Sequence, residues 1–476
     1  MSHEALEVVE SQKNALQRGT LSNIAVFAQS VAGIAPTVGA VALVPLVFAD
    51  AHKGAWLTVV IATIAVLAVG SCLTAVARYH VSSGAMYNLV PQGLGRPAGL
   101  VTGLAMLVAV TVAGPFLLIG IGIYIASFLQ AVHVVTLPGW AIFLCELAIL
   151  GVVAFMAMRR IILSTMVMLL LEGISMAIVL AILGLILATH NGGVFDSTQL
   201  KLNGFTFHGV IIGVVFLVLD FGGFESSASL GFEARNPRRA IPIGVLGSVL
   251  VVGVFFAIAT YVQVLGFEGL TLNLSSQSAP LATLSTFAGA TWLGDILLLG
   301  VIISFFSCSN AWLNYGSRLL FTMSGDGVLP RRLGAVRQQT GTPVGAVIAL
   351  LAAYIAIITY VFAAGVSLGD AFGYLGSLLG YSYCFFYLLM AIAAPVWAWR
   401  RQKLNLRIAV SSLIAVVVLI GIFYYSFVPF PAFPLSGFLV GFVAYAGLSI
   451  VAAGALRLLR PSSLARIGTT EESLAE

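Results

Sequence analysis

The chain has 476 residues, 60% of them hydrophobic and only 8% charged, with a mean hydropathy of +1.08. Soluble domains carry about 25% charged residues, so a water-soluble enzyme is excluded and a polytopic membrane protein is implied. The formal net charge of +5 does not point to nucleic acid, because no Lys/Arg stretch is long enough or interleaved with aromatics.

Residues 1–21 are polar, with Glu4, Glu7, Glu10, Lys13 and Arg18. They lack a short apolar core and cleavage site, and read as a cytosolic N-terminal tail. Runs long enough to cross a hydrocarbon core of roughly 30 Å follow at 22–48, 55–78, 97–131, 139–158, 161–189, 208–232, 241–265, 291–323, 343–364, 370–399, 408–427 and 434–457. These are spans 1 to 12. Loops 190–207 and 266–290 are the largest outer segments and read as lids. Residues 461–476 read as a polar, disordered cytosolic tail. With the N-terminus inside, only Lys53 and Lys201 of the 22 Lys and Arg fall outside. That bias predicts both termini in the cytosol.

Two spans carry interruptions. Span 1 contains Ser30-Val31-Ala32-Gly33-Ile34-Ala35-Pro36-Thr37. Gly33 supplies backbone freedom there, and Pro36 suits the first turn of a new helix. Span 6 contains Asp220-Phe221-Gly222-Gly223-Phe224-Glu225, paired glycines followed by polar residues. Five spans separate the breaks, so spans 1–5 (22–189) and 6–10 (208–399) are expected as inverted repeats with a midplane site. Spans 11 and 12 (400–460) are accessory. A broken helix exposes N–H groups that favour an anion and C=O groups that favour an ammonium. One site offering both suits a zwitterion or amine. The substrate-binding candidates are Ala32, Gly33, Ile34, Ala35, Thr37, Asp220, Phe221, Gly222, Gly223 and Phe224, with the two phenylalanines closing over the ligand.

Glu146, Glu172, Asp220 and Glu225 are the ionisable residues inside spans, all acidic. Asp220 is placed to meet an amino group. Glu172 is the candidate proton carrier, Glu225 a gating or structural acid at the restart of span 6, and Glu146 a hydrogen-bonded structural acid. Ser304 and Ser307, beside Ser309, are the candidate Na⁺ ligands, together with span 1 carbonyls. Thr111 and Pro115 mark an irregularity in span 3. Cys72, Cys145, Cys308 and Cys384 lie in apolar runs without metal or disulfide spacing. The six histidines are scattered, and no nucleotide-binding or catalytic motif appears. No cofactor is expected.

Phe221-Gly222-Gly223-Phe224-Glu225, followed by Glu233-Ala234-Arg235-Asn236-Pro237-Arg238-Arg239-Ala240-Ile241-Pro242, resembles the span 6–7 signature of the amino acid–polyamine–organocation (APC) superfamily. Ser83-Gly84-Ala85-Met86-Tyr87 ahead of Gly93-Leu94-Gly95 is similar to its loop after span 2. Arg318 with Ser324-Gly325-Asp326-Gly327-Val328-Leu329-Pro330 is similar to its span 8 ending. The resemblance covers roughly residues 20–400. It implies an all-α fold of twelve transmembrane helices, a LeuT-type 5+5 inverted-repeat core plus two helices, and secondary transport of amino acids or amines. The chain departs from the usual pattern in four places: Ala32-Gly33-Ile34-Ala35-Pro36-Thr37 stands where many members have a GxGIF-like stretch, Asp220 replaces a small residue, Phe232 an acid, and Glu172 falls near a lysine that mimics sodium in some relatives. The expected function is proton-coupled secondary transport of an amino acid or related amine. A polyamine or ethanolamine-type carrier, a solute exchanger and a non-transporting sensor are the alternatives.

Overall fold

The computed structural model describes residues 18–133, 137–159, 161–190, 193–277, 279–337, 339–459, 464–467 and 472–473. Lys13, Arg160, Arg460, the acids of the N-terminal tail, and Pro461 and Glu476 lie outside the described residues.

Among the described residues, twelve helical segments are long and apolar enough to span a bilayer. They are Asn23–Ala42, Val44–Ala77, Arg96–Ala131, Gly139–Ala157, Ile161–Thr189, Phe207–Leu230, Pro237–Gly266, Thr291–Gly325, Val344–Ala363, Leu368–Arg400, Leu406–Phe427 and Leu435–Leu459. They answer the twelve expected runs, with one boundary shifted: span 1 continues as Val44–Ala51, and span 2 proper is Ala55–Ala77. Without water in the bilayer, each backbone must satisfy its own polar groups, and runs of Ala, Leu, Val and Ile do so as helix. Spans 3, 8 and 10 are 36, 35 and 33 residues long. At 1.5 Å per residue they reach roughly 50 Å and project beyond the hydrocarbon.

Span 1 lies at the centre, 89% buried, whereas spans 11 and 12 are 22% buried and present their apolar side chains outward. Span 8 packs most extensively on spans 3 and 5, and span 10 on span 3. An even number of spans leaves the first and last on one face, here called the chain-end face.

Both expected breaks are present. Span 1 runs as helix over Asn23–Ile34 and restarts at Pro36–Ala42. Gly33, expected to supply the freedom, is helical; the left-handed residue is Ala35, at φ 56°. The cause is Pro36, which bars ordinary helical geometry for the residue before it. Span 6 is α-helical over Phe207–Asp220, turns through Gly223 at φ 102°, and continues as a 3-10 helix over Phe224–Leu230. Pro242 removes an amide from span 7, and the helix widens into a π turn at Ile243–Gly247 before continuing from Ser248. Span 3 stays continuous through Pro115, and the Tyr354 hydroxyl donates to the Val110 carbonyl at 2.8 Å.

Two connections differ from expectation. A short helix, Met86–Leu94, occupies the loop before span 3. The C-terminal segment is not simply a disordered tail: Leu464 and Ile467 are buried, and Glu472–Ser473 pairs antiparallel with His80–Val81. Ile467 and Leu464 are apolar residues in a polar sequence; Ile467 packs where Gly99 leaves room against the start of span 3, and Leu464 lines the space beside Leu94 and Arg96.

Candidate functional site

The two breaks meet backbone on backbone. A methyl group added at Gly33 would come within 2.8 Å of the Gly223 carbonyl oxygen, and one added at Gly223 within 2.7 Å of the Gly33 carbonyl carbon. Only glycine in both spans permits this approach. Around it, polar groups of one span satisfy the backbone of the other. Ser30 Oγ donates to the Phe224 carbonyl at 2.6 Å, and Ser226 Oγ to the Gln29 carbonyl at 3.2 Å. The Ser227 amide donates to Ser30 Oγ at 3.3 Å. These bonds explain how a 3-10 segment persists where water is absent.

Glu172 of span 5 lies against the restart of span 1. Its Oε1 accepts from Ser304 Oγ at 2.8 Å and from the Thr37 amide at 3.4 Å, while Oε2 is buried without a partner. Ser307 Oγ donates to the Met168 carbonyl at 3.1 Å. Both serines proposed as cation ligands therefore donate to span 5. The Gly33 carbonyl accepts from Trp312 Nε1 at 3.1 Å and Cys308 Sγ at 3.2 Å. Asp220 ends the first half of span 6. It is half-buried, its Oδ2 lies over Gly39 of span 1, and that oxygen has no hydrogen-bond partner. Asn310 of span 8 is fully buried with neither amide atom partnered.

Glu225 is engaged through one oxygen: its Oε2 accepts from the Gly223 amide at 3.0 Å and from the Tyr387 hydroxyl at 2.7 Å, while Oε1 is buried without a partner. It holds the turn that precedes it. The Phe221 ring packs on Phe256 of span 7 at 5.4 Å, and Phe224 on Tyr387 of span 10 at 5.2 Å. Both rings are wholly buried. Ala32, Ile34 and Thr37 are buried too, so the span 1 candidates gather with Asp220 and Glu172 in one interior region. Glu146, expected to be hydrogen-bonded, lies against Gly122 of span 3 with its Oε1 unpartnered. Gly122 provides the space; it offers no donor side chain.

On the chain-end face the interior is sealed. Arg318 holds Glu233 through Nε and Nη2, both at 2.7 Å, with both side chains buried. The Leu21 amide donates to the Glu233 carbonyl at 2.8 Å and the Arg235 amide to the Leu21 carbonyl at 2.9 Å. The Arg18 guanidinium lies 5.2 Å from the Phe232 ring centre. On the opposite face Lys53 bridges Asp196 at 3.1 Å and Glu268 at 3.4 Å, tying together the two loops expected as lids. Burial works to raise the Asp196 carboxyl, but hydrogen bonds from Thr198 and Lys53 outweigh it and hold the group well below the ordinary carboxylate range.

Trp312, Cys308, Gln263 and Gly39 escaped the sequence reading. Cys308, Trp312 and Ser304 recur every four residues along span 8 and so share a face; that spacing was the available signal. Gln263 Nε2 donates to the Ala40 carbonyl at 2.9 Å, a partner no pattern in span 7 announces. Among the described residues, no group of three or more His, Cys, Asp or Glu is placed to hold a metal ion.

Residues 25–436 match the family described as Amino acid permease. The branched-chain amino acid permease BcaP of Lactococcus lactis is 31% identical over 133 residues, 28% of each chain. An uncharacterised transporter of Mycobacterium bovis, Mb2022c, is 32% identical over 189 residues, 37% of this chain and 42% of its own. The vacuolar cationic amino acid transporter 4 of Arabidopsis thaliana is 24% identical over 332 residues, 67% of this chain and 55% of its own. The matched region thus spans well under half the length of the first two relatives. The match to the family covers most of the chain and runs through both breaks: the protein belongs to the amino acid permease family of the APC superfamily, with twelve apolar spans among its described residues.

Proposed function

We propose that the protein is a proton-coupled secondary transporter that moves an amino acid or related amine by alternating access. In this reading residues 22–189 and 208–399 form LeuT-type inverted repeats, both termini are cytosolic, and the substrate binds at midplane between spans 1, 3, 6 and 8. The observation that carries it is the Gly33–Gly223 crossing flanked by Asp220 and Glu172, each with a buried, unpartnered carboxylate oxygen. Unpaired carboxylates in a low-dielectric interior are costly unless they take up a cation or a proton. Among the described residues the buried arginine, Arg318, is already committed to Glu233. Asp220 is therefore assigned to the substrate ammonium.

Proton coupling is assigned to Glu172. Its Oε1 draws the Ser304 hydroxyl and the Thr37 amide to itself, and Trp312 and Cys308 occupy the Gly33 carbonyl. The groups a sodium ion would need are engaged with protein donors and acceptors, which supports H⁺ over Na⁺. The names of the relatives, one for branched-chain and one for cationic amino acids, support an amino-acid substrate.

One observation favours an amine carrier as the second reading. The Thr37 amide, near the start of the restarted half-helix where a substrate carboxylate would be received, points to Glu172. Thermal stabilisation by amino acids and by their decarboxylated amines, at two pH values, separates the two. Amino-acid transport predicts stabilisation by intact amino acids above that by the amines; the amine reading predicts the reverse. Asp220→Asn is expected to lower the affinity for either class at least about tenfold, the loss of roughly 1.4 kcal/mol. An unchanged response of that variant removes Asp220 from the site. In proteoliposomes an inward proton gradient is expected to drive uptake, and Glu172→Gln to uncouple it. Ligand binding without any flux would leave the sensor reading instead.

A further inference from the structure

A cavity of about 470 Å³ opens on the chain-end face, lined by Leu94, Gly95, Arg96, Arg400, Arg457 and Leu464 among others. Arg96 opens span 3, Arg400 closes span 10, and Arg457 lies in the last turn of span 12. A basic residue in a helix's last turn offsets the negative end of its dipole, which accounts for Arg400 and Arg457 taken singly. It does not account for Arg96. That residue stands at the positive end of a 36-residue helix whose first turn has no acidic residue and no side-chain cap. Nor does it account for the convergence of three guanidiniums on one cavity. Among the described residues no carboxylate forms an ion pair with any of them. Arg400 is steadied by its Nη1–H bond to the Gly93 carbonyl at 2.9 Å, which leaves its net charge uncompensated.

The side chains next to these charges are apolar and outward. Trp399, Leu458 and Leu459 are 69%, 83% and 80% exposed, and each adjoins or nearly adjoins one of the arginines in sequence. Exposed Trp and Leu beside guanidiniums mark the level where acyl chains give way to headgroups.

We propose that this cavity binds the phosphate headgroup of an anionic phospholipid. Arg96, Arg400 and Arg457 take the phosphate oxygens, a geometry suited to the forked donors of guanidinium, and Leu458 and Leu459 lie along the acyl chains. Basic pockets between membrane helices recognise such headgroups. A bound lipid would join the ends of spans 3 and 10 to span 12, an accessory helix with little buried surface of its own. The proposal is independent of what the midplane site carries.

The test uses the full chain, delipidated in detergent and without transport substrate. Native mass spectrometry and thermal unfolding are read with dioleoylphosphatidylglycerol, dioleoylphosphatidylcholine or sodium phosphate. Phosphatidylglycerol is expected to be retained and to raise Tm; the other two are not. Arg96→Gln/Arg457→Gln leaves the Arg400–Gly93 bond intact and is expected to retain at least about fivefold less phosphatidylglycerol. Arg331→Gln/Arg332→Gln removes the same charge from the loop after span 8 and is expected to bind as the unaltered protein does. Unliganded Tm values near that of the unaltered protein establish that both variants fold. Equal retention by the two variants overturns the proposal, as does an equal response to phosphatidylcholine. An equal response to sodium phosphate reassigns the cavity to a free anion and overturns the lipid.

Discussion

Ala35 bends span 1 in a backbone conformation that L-residues rarely adopt, at a cost of about 1–2 kcal/mol. Ala35→Gly is therefore expected to leave Tm unchanged or higher, whereas Ala35→Val, β-branched at positive φ, is expected to lower it. A Gly variant markedly less stable than the Ala protein would show that the strain is not at this residue. The Arg318–Glu233 pair makes a second prediction at this scale. Removing one partner of a buried pair costs about 3–5 kcal/mol, because the other charge is left uncompensated. Glu233→Gln is expected to lower Tm and to speed labelling of the buried Cys308, ten residues before Arg318 on span 8 and so on the interior side of the pair. Replacing both partners with Met and Leu is expected to recover most of the stability but not the slow labelling. Glu172 was visible in the sequence as an acid in an apolar run; its partners were not. Ser304 is 132 residues away, and the period of span 5 does not say which neighbour its polar position meets.

At the scale of elements, the breaks in spans 1 and 6 were legible because their causes are local: a proline, paired glycines, and polar residues inside apolar runs. Their details depend on tertiary partners. Gly33 looks like the flexible residue until Pro36 forces the turn onto Ala35. The 3-10 segment after Gly223 owes its persistence to Ser30 and Gln29 of another span. The short strand at Glu472–Ser473 was illegible for a similar reason, since a two-residue ladder has no period and its partner lies at His80–Val81. Span 3 shows the reverse case. Pro115 predicts an irregularity, yet the helix continues and Tyr354 supplies a hydroxyl to the carbonyl five residues before the proline. Tyr354→Phe is expected to cost about 1 kcal/mol, read as a fall in Tm. No change would mean that Val110 finds another donor.

Across the whole molecule, the two faces are closed by different chemistry. The chain-end face uses a buried pair, a strand-like contact and an aromatic ring; the opposite face uses Lys53 between two loop carboxylates. Asp196 lets the second closure be tested with pH. Its folded-state pKa lies below the unfolded value of about 3.9. The stabilisation it contributes is therefore complete above that value and lost as pH falls through the folded one. Asp196→Asn is expected to lower Tm near neutrality, and the gap from the unaltered protein to narrow below about pH 4. A gap that stays constant into acid would mean that the carboxylate charge carries no stability. The positions of the apolar spans were the most legible property of all, because hydropathy acts over whole segments and needs no tertiary partner.

Where spans 1 and 6 cross, neither span presents a side chain, and any substitution at Gly33 or Gly223 adds atoms to a contact with no slack. Point mutation therefore has no graded adjustments to offer at that spot. On the transport reading proposed above, a change in what is accepted is expected around the crossing, at positions such as Asp220, Thr37 or Trp312, where one side chain can be exchanged for another. The centre of this design is frozen, and its evolvability lies at the rim.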